Sequence, residues 1–421
     1  MKASPKSHPK SSATHKPINL ALQGGGAHGA FAWGVMDKLI EDGRLVFDGI
    51  SGTSAGSMNA VVYAYGRTTG GPDGAREALE KFWKAVSDAG QRFSIVRQMF
   101  QNPFLSAAQN GFAASAVSPS FEALKFITDS FSPYQLNPTN WNPLLNLLNE
   151  QVDFDRLNVC KETKLFLSAT NVRSGKVRVF NTNEITASAV MASSCLPHLF
   201  QAVEIDGEYY WDGGYMGNPS LFPLFYNTTA GDVLIVHINP IERDKLPQTS
   251  PEIYDRVNEV TFNSSLIKEL RAVAFVQKLL DEGWLKDEYR DQLRYVRIHS
   301  LRADKALADL SAASKFFSEW DFLIMLRDRG RDFAQQWLEE NFDAVGKRST
   351  VDLRAEFLNS GSEQAPLRPA KPTKTAKPAN PPAPAVSKND STHGRKKKVS
   401  RTTKVITKST AQGTSKRRSF T

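Results

Sequence analysis

Gly52-Thr53-Ser54-Ala55-Gly56 has the form G-x-S-x-G, in which a serine between small residues can act as the nucleophile of acyl transfer. Such a turn passes from a strand into a helix, and Gly52 and Gly56 leave room for the two to run close together. A helix beginning at Ser54 adds a positive dipole end near developing negative charge. A serine hydroxyl also needs an oxyanion stabiliser and a base. Upstream, Gly24-Gly25-Gly26-Ala27-His28-Gly29 follows a short apolar stretch, and its successive glycines let several backbone N–H groups face one space. Downstream, Trp211-Asp212-Gly213-Gly214 places a carboxylate just before a pair of glycines. A carboxylate within about 3 Å of the serine can take its proton directly.

Each motif has a competing interpretation. D-G-G is also a simple turn. Gly24-x-Gly26-x-x-Gly29 spells a dinucleotide fingerprint, which expects an acidic residue about 20 positions on at the end of the second strand. Asp48 lies at that distance but before Ile50-Ser51, and a nucleotide site leaves Gly52–Gly56 without a purpose. The base could instead be a histidine. Of the seven, His8, His15 and His393 fall in polar ends and His28 in the glycine loop, leaving His198, His237 and His299. The order Ser54, Asp212, His299 satisfies an α/β-hydrolase triad, although that fold sets several strands ahead of its elbow. His237, inside an apolar strand, is expected to be a core residue.

The elements that must position these residues follow from apolar spacing. Ile18–Gln23 and Phe47–Ser51 are expected strands. Between them Phe31, Val35, Met36, Leu39 and Ile40 mark a helix that ends at Asp42-Gly43, and a second helix is expected over about 54–65. Strand–helix–strand–helix with short connections implies a parallel sheet covered by helices. Neighbouring strands of that kind would bring the glycine loop and Ser54 to one carboxyl edge. Lys164–Thr170 pairs with Val177–Asn181 as a hairpin, and Asp206-Gly207 joins Val203–Ile205 to Glu208–Trp211. Thr186–Cys195 is expected as a short helix, Val233–Ile238 as a buried parallel strand, and Arg294–His299 as another between amphipathic segments at 251–287 and 312–345. Residues 76–150 read as helical or irregular. Their Phe93, Phe100, Phe104, Phe112, Phe121, Phe126 and Phe131 pack a core or wall an acyl chain.

The 421 residues carry a net charge of +9, distributed unevenly. Residues 361–421 hold 15 Lys and Arg against Glu363 and Asp390, and the first 17 residues add four lysines without an acid. The middle, 18–360, is left at about −8 and suggests no nucleic-acid surface. Residues 1–17 and 346–421 are expected to be disordered, the latter as a Pro/Ala/Lys-rich tail with Arg395–Lys398 and Lys416–Arg418 clusters. Blandly the tail is a solvated extension; functionally it would meet anionic lipid, with about 1 kcal/mol per charge near a membrane. Cys160 and Cys195 are too few for a disulfide framework or a four-ligand zinc site. No signal peptide or membrane-length apolar run is present, so the expected place is the cytoplasm, with peripheral membrane contact. Oligomeric state leaves no mark in the sequence.

G-G-G-x-x-G, G-x-S-x-G and D-G-G in this order resemble the patatin-like phospholipase family. The likeness extends through Gly52–Ala60, Ala192–Pro197 and Asp212–Pro219, and spans about 18–240 with 241–345 in the same domain. It implies an α/β/α sandwich around a mainly parallel sheet and lipid acyl hydrolysis without metal or cofactor. By position it makes Ser54 the nucleophile and Asp212 its base. Gly24, Gly25 and Gly26 then frame the oxyanion hole, with Gly29, Gly52, Gly56, Gly213 and Gly214 completing the motifs. One departure stands out: His28 occupies a place where the family usually carries Arg or Lys. A histidine there would weaken anion affinity or tie activity to pH near neutrality. A catalytically silent, membrane-binding relative is the remaining alternative.

Overall fold

Alternation along the central strands dictates the architecture. In β1 (Lys16–Leu22), Ile18, Leu20 and Leu22 enter one apolar core while Ala21 enters another. β3 (Lys164–Asn171) divides Leu165, Leu167 and Ala169 from Phe166 in the same way. β7 (Asp232–His237) divides Leu234 and Val236 from Val233 and Ile235. Strands apolar on both faces must be covered on both, and the result is a helix–sheet–helix sandwich, as expected. The computed structural model describes residues 15–92, 130–159, 162–243, 246–290 and 292–358. The chain divides into the units Met1–Gln364 and Ala365–Thr421, and all described residues lie in the first.

The remaining labelled elements are α1 (Gly29–Asp42), β2 (Leu45–Gly52), α2 (Ala55–Arg92), β4 (Val177–Asn181), α3 (Ala187–Ser193), β5 (Val203–Ile205), β6 (Glu208–Asp212), α4 (Ser250–Asp281), β8 (Arg297–Arg302) and α5 (Trp320–Asn341). The sheet runs β5-β6-β3-β2-β1-β7-β8, with β4 on β3. β3-β2-β1-β7-β8 are mutually parallel; β4 and β6 pair antiparallel with β3, and β5 with β6. Asp206 and Gly207 turn the β5–β6 hairpin with φ of 54° and 78°, as two-residue hairpins with the right strand twist require.

One face is covered by α1, α2, α3 and α5, whose buried residues include Phe31, Trp33, Leu79, Val190 and Leu326. The other is covered by α4 through Leu266, Leu270 and Val273, together with Leu353 and Phe357. α1 and α5 cross in contact because Gly34 and Gly330 have no side chains. A Cβ on either would strike the partner helix backbone at Arg327 or Phe31. α1 stops at Gly43, which adopts φ 74° and donates its N–H to the Leu39 carbonyl.

Several boundaries differ from the sequence expectation. α2 runs far beyond residue 65 and bends at Gly71, ahead of Pro72, instead of stopping. Its apolar face continues through Ala75, Leu79, Phe82 and Trp83, and this burial outweighs the Gly-Gly-Pro interruption. β1 opens at Lys16 rather than Ile18, because the Lys16 N–H bonds the Arg44 carbonyl and its Nζ the Phe342 carbonyl at 2.7 Å. β8 extends to Arg302 in register with His237. Residues beyond 345 pack on the fold as far as Leu358, the last described residue, with Leu353 and Phe357 buried against the α4 face. Of the phenylalanines noted above, only Phe131 lies among the described residues, where it is exposed. The basic tail, the other six phenylalanines and Cys160 lie outside them; Cys195 is a free, buried thiol.

Candidate active site

The register places the candidate residues at one sheet edge. Leu22 pairs with Gly52 and with Val236, so β1, β2 and β7 end together, and the glycine loop and Ser54 leave from neighbouring strands. Gly52 also pairs with Leu167, and two residues along β3 Ala169 faces Asp212 at the end of β6. This is the carboxyl edge of the parallel strands, where open α/β sheets place their ligands.

Ser54 sits in the turn from β2 to α2 with φ 55°, a left-handed conformation that costs a non-glycine residue about 1–3 kcal/mol. The surroundings hold it there. Thr53 donates its N–H to the Leu22 carbonyl at 3.2 Å and its hydroxyl to the Gly217 carbonyl at 2.6 Å. The Ser54 N–H donates to Ser193 Oγ at 3.0 Å, and the Ser57 hydroxyl returns to the Ser54 carbonyl at 2.6 Å. The flanking glycines are required by contact. A Cβ on Gly52 would lie 2.6 Å from the Gly56 carbonyl oxygen, and one on Gly56 would strike the end of β1 at Leu22. Gly29 likewise has Ala55 Cβ 2.5 Å from where its own would stand.

The glycine loop wraps over this turn. Gly24 is buried and spends its N–H on Asn218 Oδ1 at 2.7 Å, whereas Gly25 is half-buried and Gly26 exposed. The loop is anchored from below by a polar cluster. Gln23 Oε1 accepts from the N–H groups of Ile238 and Asn239, and Asn239 Nδ2 donates to the Gly24 carbonyl at 2.8 Å. Gln23 Nε2 donates to Asn263 Oδ1 at 3.0 Å, tying in α4.

Asp212 is buried beside Ser54. Its N–H bonds the Cys195 carbonyl and its own carbonyl takes the Thr170 hydroxyl, which fixes the end of β6. Oδ1 accepts the Gly214 N–H at 2.7 Å. Oδ2 is buried and lacks a hydrogen-bond partner of good geometry among the described residues, although the Ser54 hydroxyl is near enough to lower the carboxyl's pKa. Burial is the larger influence; it outweighs Gly214, Ser54 and Lys315 and raises the pKa to about 7. Gly213 and Gly214 have no room for side chains, since a Cβ would meet the Ser168 carbonyl at one and the Phe262 ring at the other.

The other candidates lie elsewhere or are otherwise engaged. His299 is buried on β8, with Nε2 2.9 Å from Asp232 Oδ1 and Nδ1 3.2 Å from Thr350 Oγ1; its partners are structural. His237 is a buried core residue whose pKa is pushed down to about 3 by burial. His198 is exposed. His28 does not lend itself to a switch near neutrality. It is buried, 2.8 Å from Ser314 Oγ, and burial, then the Lys315 charge, pushes its pKa down to about 3. Asp48 lies inside β2 and its Oδ2 accepts from Thr229 and Ala230, so it is not placed for a ribose.

Asn218, Gln23, Asn239, Ser193 and Lys315 were not singled out from the sequence. Gln23 and Asn239 left one signal, as polar residues directly following two apolar strands; Lys315 left none.

Residues 20–225 match the family model described as patatin-like phospholipase. Solved structures similar to the chain include VipD from Legionella pneumophila, 17% identical, which covers 78% of this chain and 67% of its own at a TM-score of 0.33. Full-length ExoU in complex with SpcU, from the type III secretion system of Pseudomonas aeruginosa, is 15% identical and covers 82% and 73% at a TM-score of 0.23. No curated protein matches the chain.

Proposed function

The protein belongs, through residues 20–225, to the patatin-like phospholipases, and we propose that it hydrolyses the carboxylic esters of lipids with Ser54 as nucleophile and Asp212 as base. The observation that carries this reading is the pairing of two unusual states: a half-buried serine at φ 55°, and beside it a buried carboxyl with an oxygen unpartnered among the described residues and a pKa of about 7. A base whose pKa lies near working pH combines a useful ionised fraction with real proton affinity.

Ser54 Oγ attacks the ester carbonyl carbon as its proton passes to Asp212 Oδ2. The carbonyl π pair moves onto oxygen, and the oxyanion takes hydrogen bonds from the N–H groups of Gly25 and Gly26. Gly24, whose N–H is held by Asn218, contributes the close approach that brings the loop over Ser54. Collapse breaks the bond to the alcohol, which leaves with the proton from Asp212. Water then adds to the acyl-Ser54 carbonyl while Asp212 takes one of its protons. Release of the fatty acid restores that proton to Ser54 Oγ.

Labelling with a fluorophosphonate probe and identification of the modified peptide tests this assignment. Modification at Ser54, together with loss of p-nitrophenyl ester turnover in Ser54→Ala and Asp212→Ala and its retention in His299→Ala, is the expected result. Full turnover by Ser54→Ala, or an unlabelled Ser54 in folded protein, would overturn it.

A further inference from the structure

Lys315 lies outside the matched family region, in a single 3-10 turn (Ala312–Phe316) far along the chain, yet it packs on the glycine loop and faces the Asp212 loop across the Phe262 ring. Its carbonyl packs against Gly26, where a Cβ would collide with it. Its Nζ donates to Asn239 Oδ1 at 2.8 Å, and the same Asn239 side chain donates to the Gly24 carbonyl at 2.8 Å. On the other side Nζ stands 6.0 Å from the centre of the Phe262 ring, which packs on Gly214 and lies 5.2 Å from the ring of Tyr215. One ammonium therefore sits between the glycine loop and the Asp212 loop.

A positive charge is costly in this place. The residue as a whole is half-buried, but packing around the ammonium is dense enough that desolvation is the largest influence on it and lowers its pKa. The titratable groups around it are Glu259 and Asp255 from α4, Arg243 before that helix, Asp212 at the end of β6, and His28 from the glycine loop. Glu259 is already shared by Arg243 and Arg256, and Asp255 accepts the Ala312 N–H. Among the described residues the ammonium's hydrogen-bond partner is the neutral amide of Asn239. A desolvated cation held by an amide that also supports the glycine loop suggests a use for its field at the site.

We propose that Lys315 is a positioning residue for the hydrolysis: held by Asn239, its ammonium places a fixed positive charge beside the Ser54–Asp212 pair and favours the ionised carboxylate that accepts the serine proton. The inference rests on the Ser54–Asp212 reading above. It adds a residue from a separate part of the chain and a definite electrostatic role.

The test compares wild type, Lys315→Met, Lys315→Gln and Lys315→Arg in the full-length protein, by kcat/KM for a p-nitrophenyl ester against pH and by fluorophosphonate labelling. In the two neutral variants the acid limb should move up by about one pH unit, the size expected for a removed opposite charge, with roughly tenfold lower kcat/KM on that side. Lys315→Arg should keep the wild-type acid limb. If neither neutral variant folds, Lys315→Arg decides, because a guanidinium supplies the same charge. A wild-type acid limb in folded Lys315→Met or Lys315→Gln, or an acid limb displaced upward in folded Lys315→Arg, overturns the proposal. Either result with Ser54 still labelled in wild type defeats Lys315 alone. An unlabelled, dispensable Ser54 defeats the dyad beneath it.

Discussion

Gly24 and Ser54 approach so closely that a Cβ added to Gly24 would stand 2.7 Å from Ser54 Cβ and 2.8 Å from the Thr53 carbonyl oxygen. The two come from loops after different strands, and the register that pairs Leu22 with Gly52 brings them together. Gly24→Ala must therefore push the glycine loop away from the nucleophile. Turnover of a soluble ester should fall by about 10²–10³, the cost of losing an oxyanion donor. The melting temperature should change far less, because the displaced segment lies at the sheet edge. Near wild-type kcat would show that the loop does not set the geometry of Ser54.

The raised pKa of Asp212 predicts an acid limb for the proposed reaction. If the ionised carboxylate is the base, kcat/KM should be low in acid and rise through a pH of about 7. The neighbouring histidines leave that limb alone, since burial holds His28 and His237 to pKa values of about 3. A pH–rate profile of His28→Gln should keep the wild-type midpoint. A midpoint that moved with this substitution would transfer the titration from Asp212 to His28.

Burial of Asp212 also has a stability consequence. The folded protein holds this proton up to about pH 7, whereas the unfolded chain releases it near 3.8. Between those values the folded state binds more protons, so stability falls as pH rises. Asp212→Asn keeps an oxygen for the Gly214 N–H and removes the buried charge. It should be inactive, and by thermal or urea unfolding at pH 8 it should be more stable by on the order of 2–4 kcal/mol. Equal stability at pH 8 and a parallel pH dependence would mean that the carboxyl is better solvated than its burial indicates.

Asn218 should matter as much as a motif residue. It accepts the Gly24 N–H at 2.7 Å and donates to the Phe262 carbonyl at 3.1 Å, joining the glycine loop to α4. Asn218→Ala leaves a buried N–H unpaired, at about 1–3 kcal/mol. Unfolding should show that loss, with kcat reduced more than KM is raised. A variant with unaltered kcat would place the glycine loop under other control.

The basic segment can be assayed apart from the chemistry. Removal of residues 365–421 should leave soluble-ester turnover unchanged, while sedimentation with anionic vesicles drops and becomes less sensitive to salt. Unchanged sedimentation would rule out a membrane role for those charges.

The sequence by itself determined the strands, the order of the three motifs and the carboxyl edge at which they meet, because apolar alternation and glycine spacing are local properties of the chain. Gly52, Gly56 and Gly213 were legible for the same reason: each stands where backbone passes too close for a side chain, and at Gly214 the Phe262 ring fills that space. Helix extent was less legible, since α2 crosses Gly71-Pro72 on the strength of contacts made by Leu79 and Phe82 with distant residues. Only the tertiary structure separates the surroundings of Asp212 from those of His299. It buried the carboxyl next to Ser54 and bound the histidine to Asp232 two strands beyond β1. It likewise turned His28 toward Ser314, gave the Gly24 N–H to Asn218, and brought Lys315 from far along the chain to the site. Desolvation and charge at a point depend on everything that packs around it, and no run of neighbouring residues encodes that.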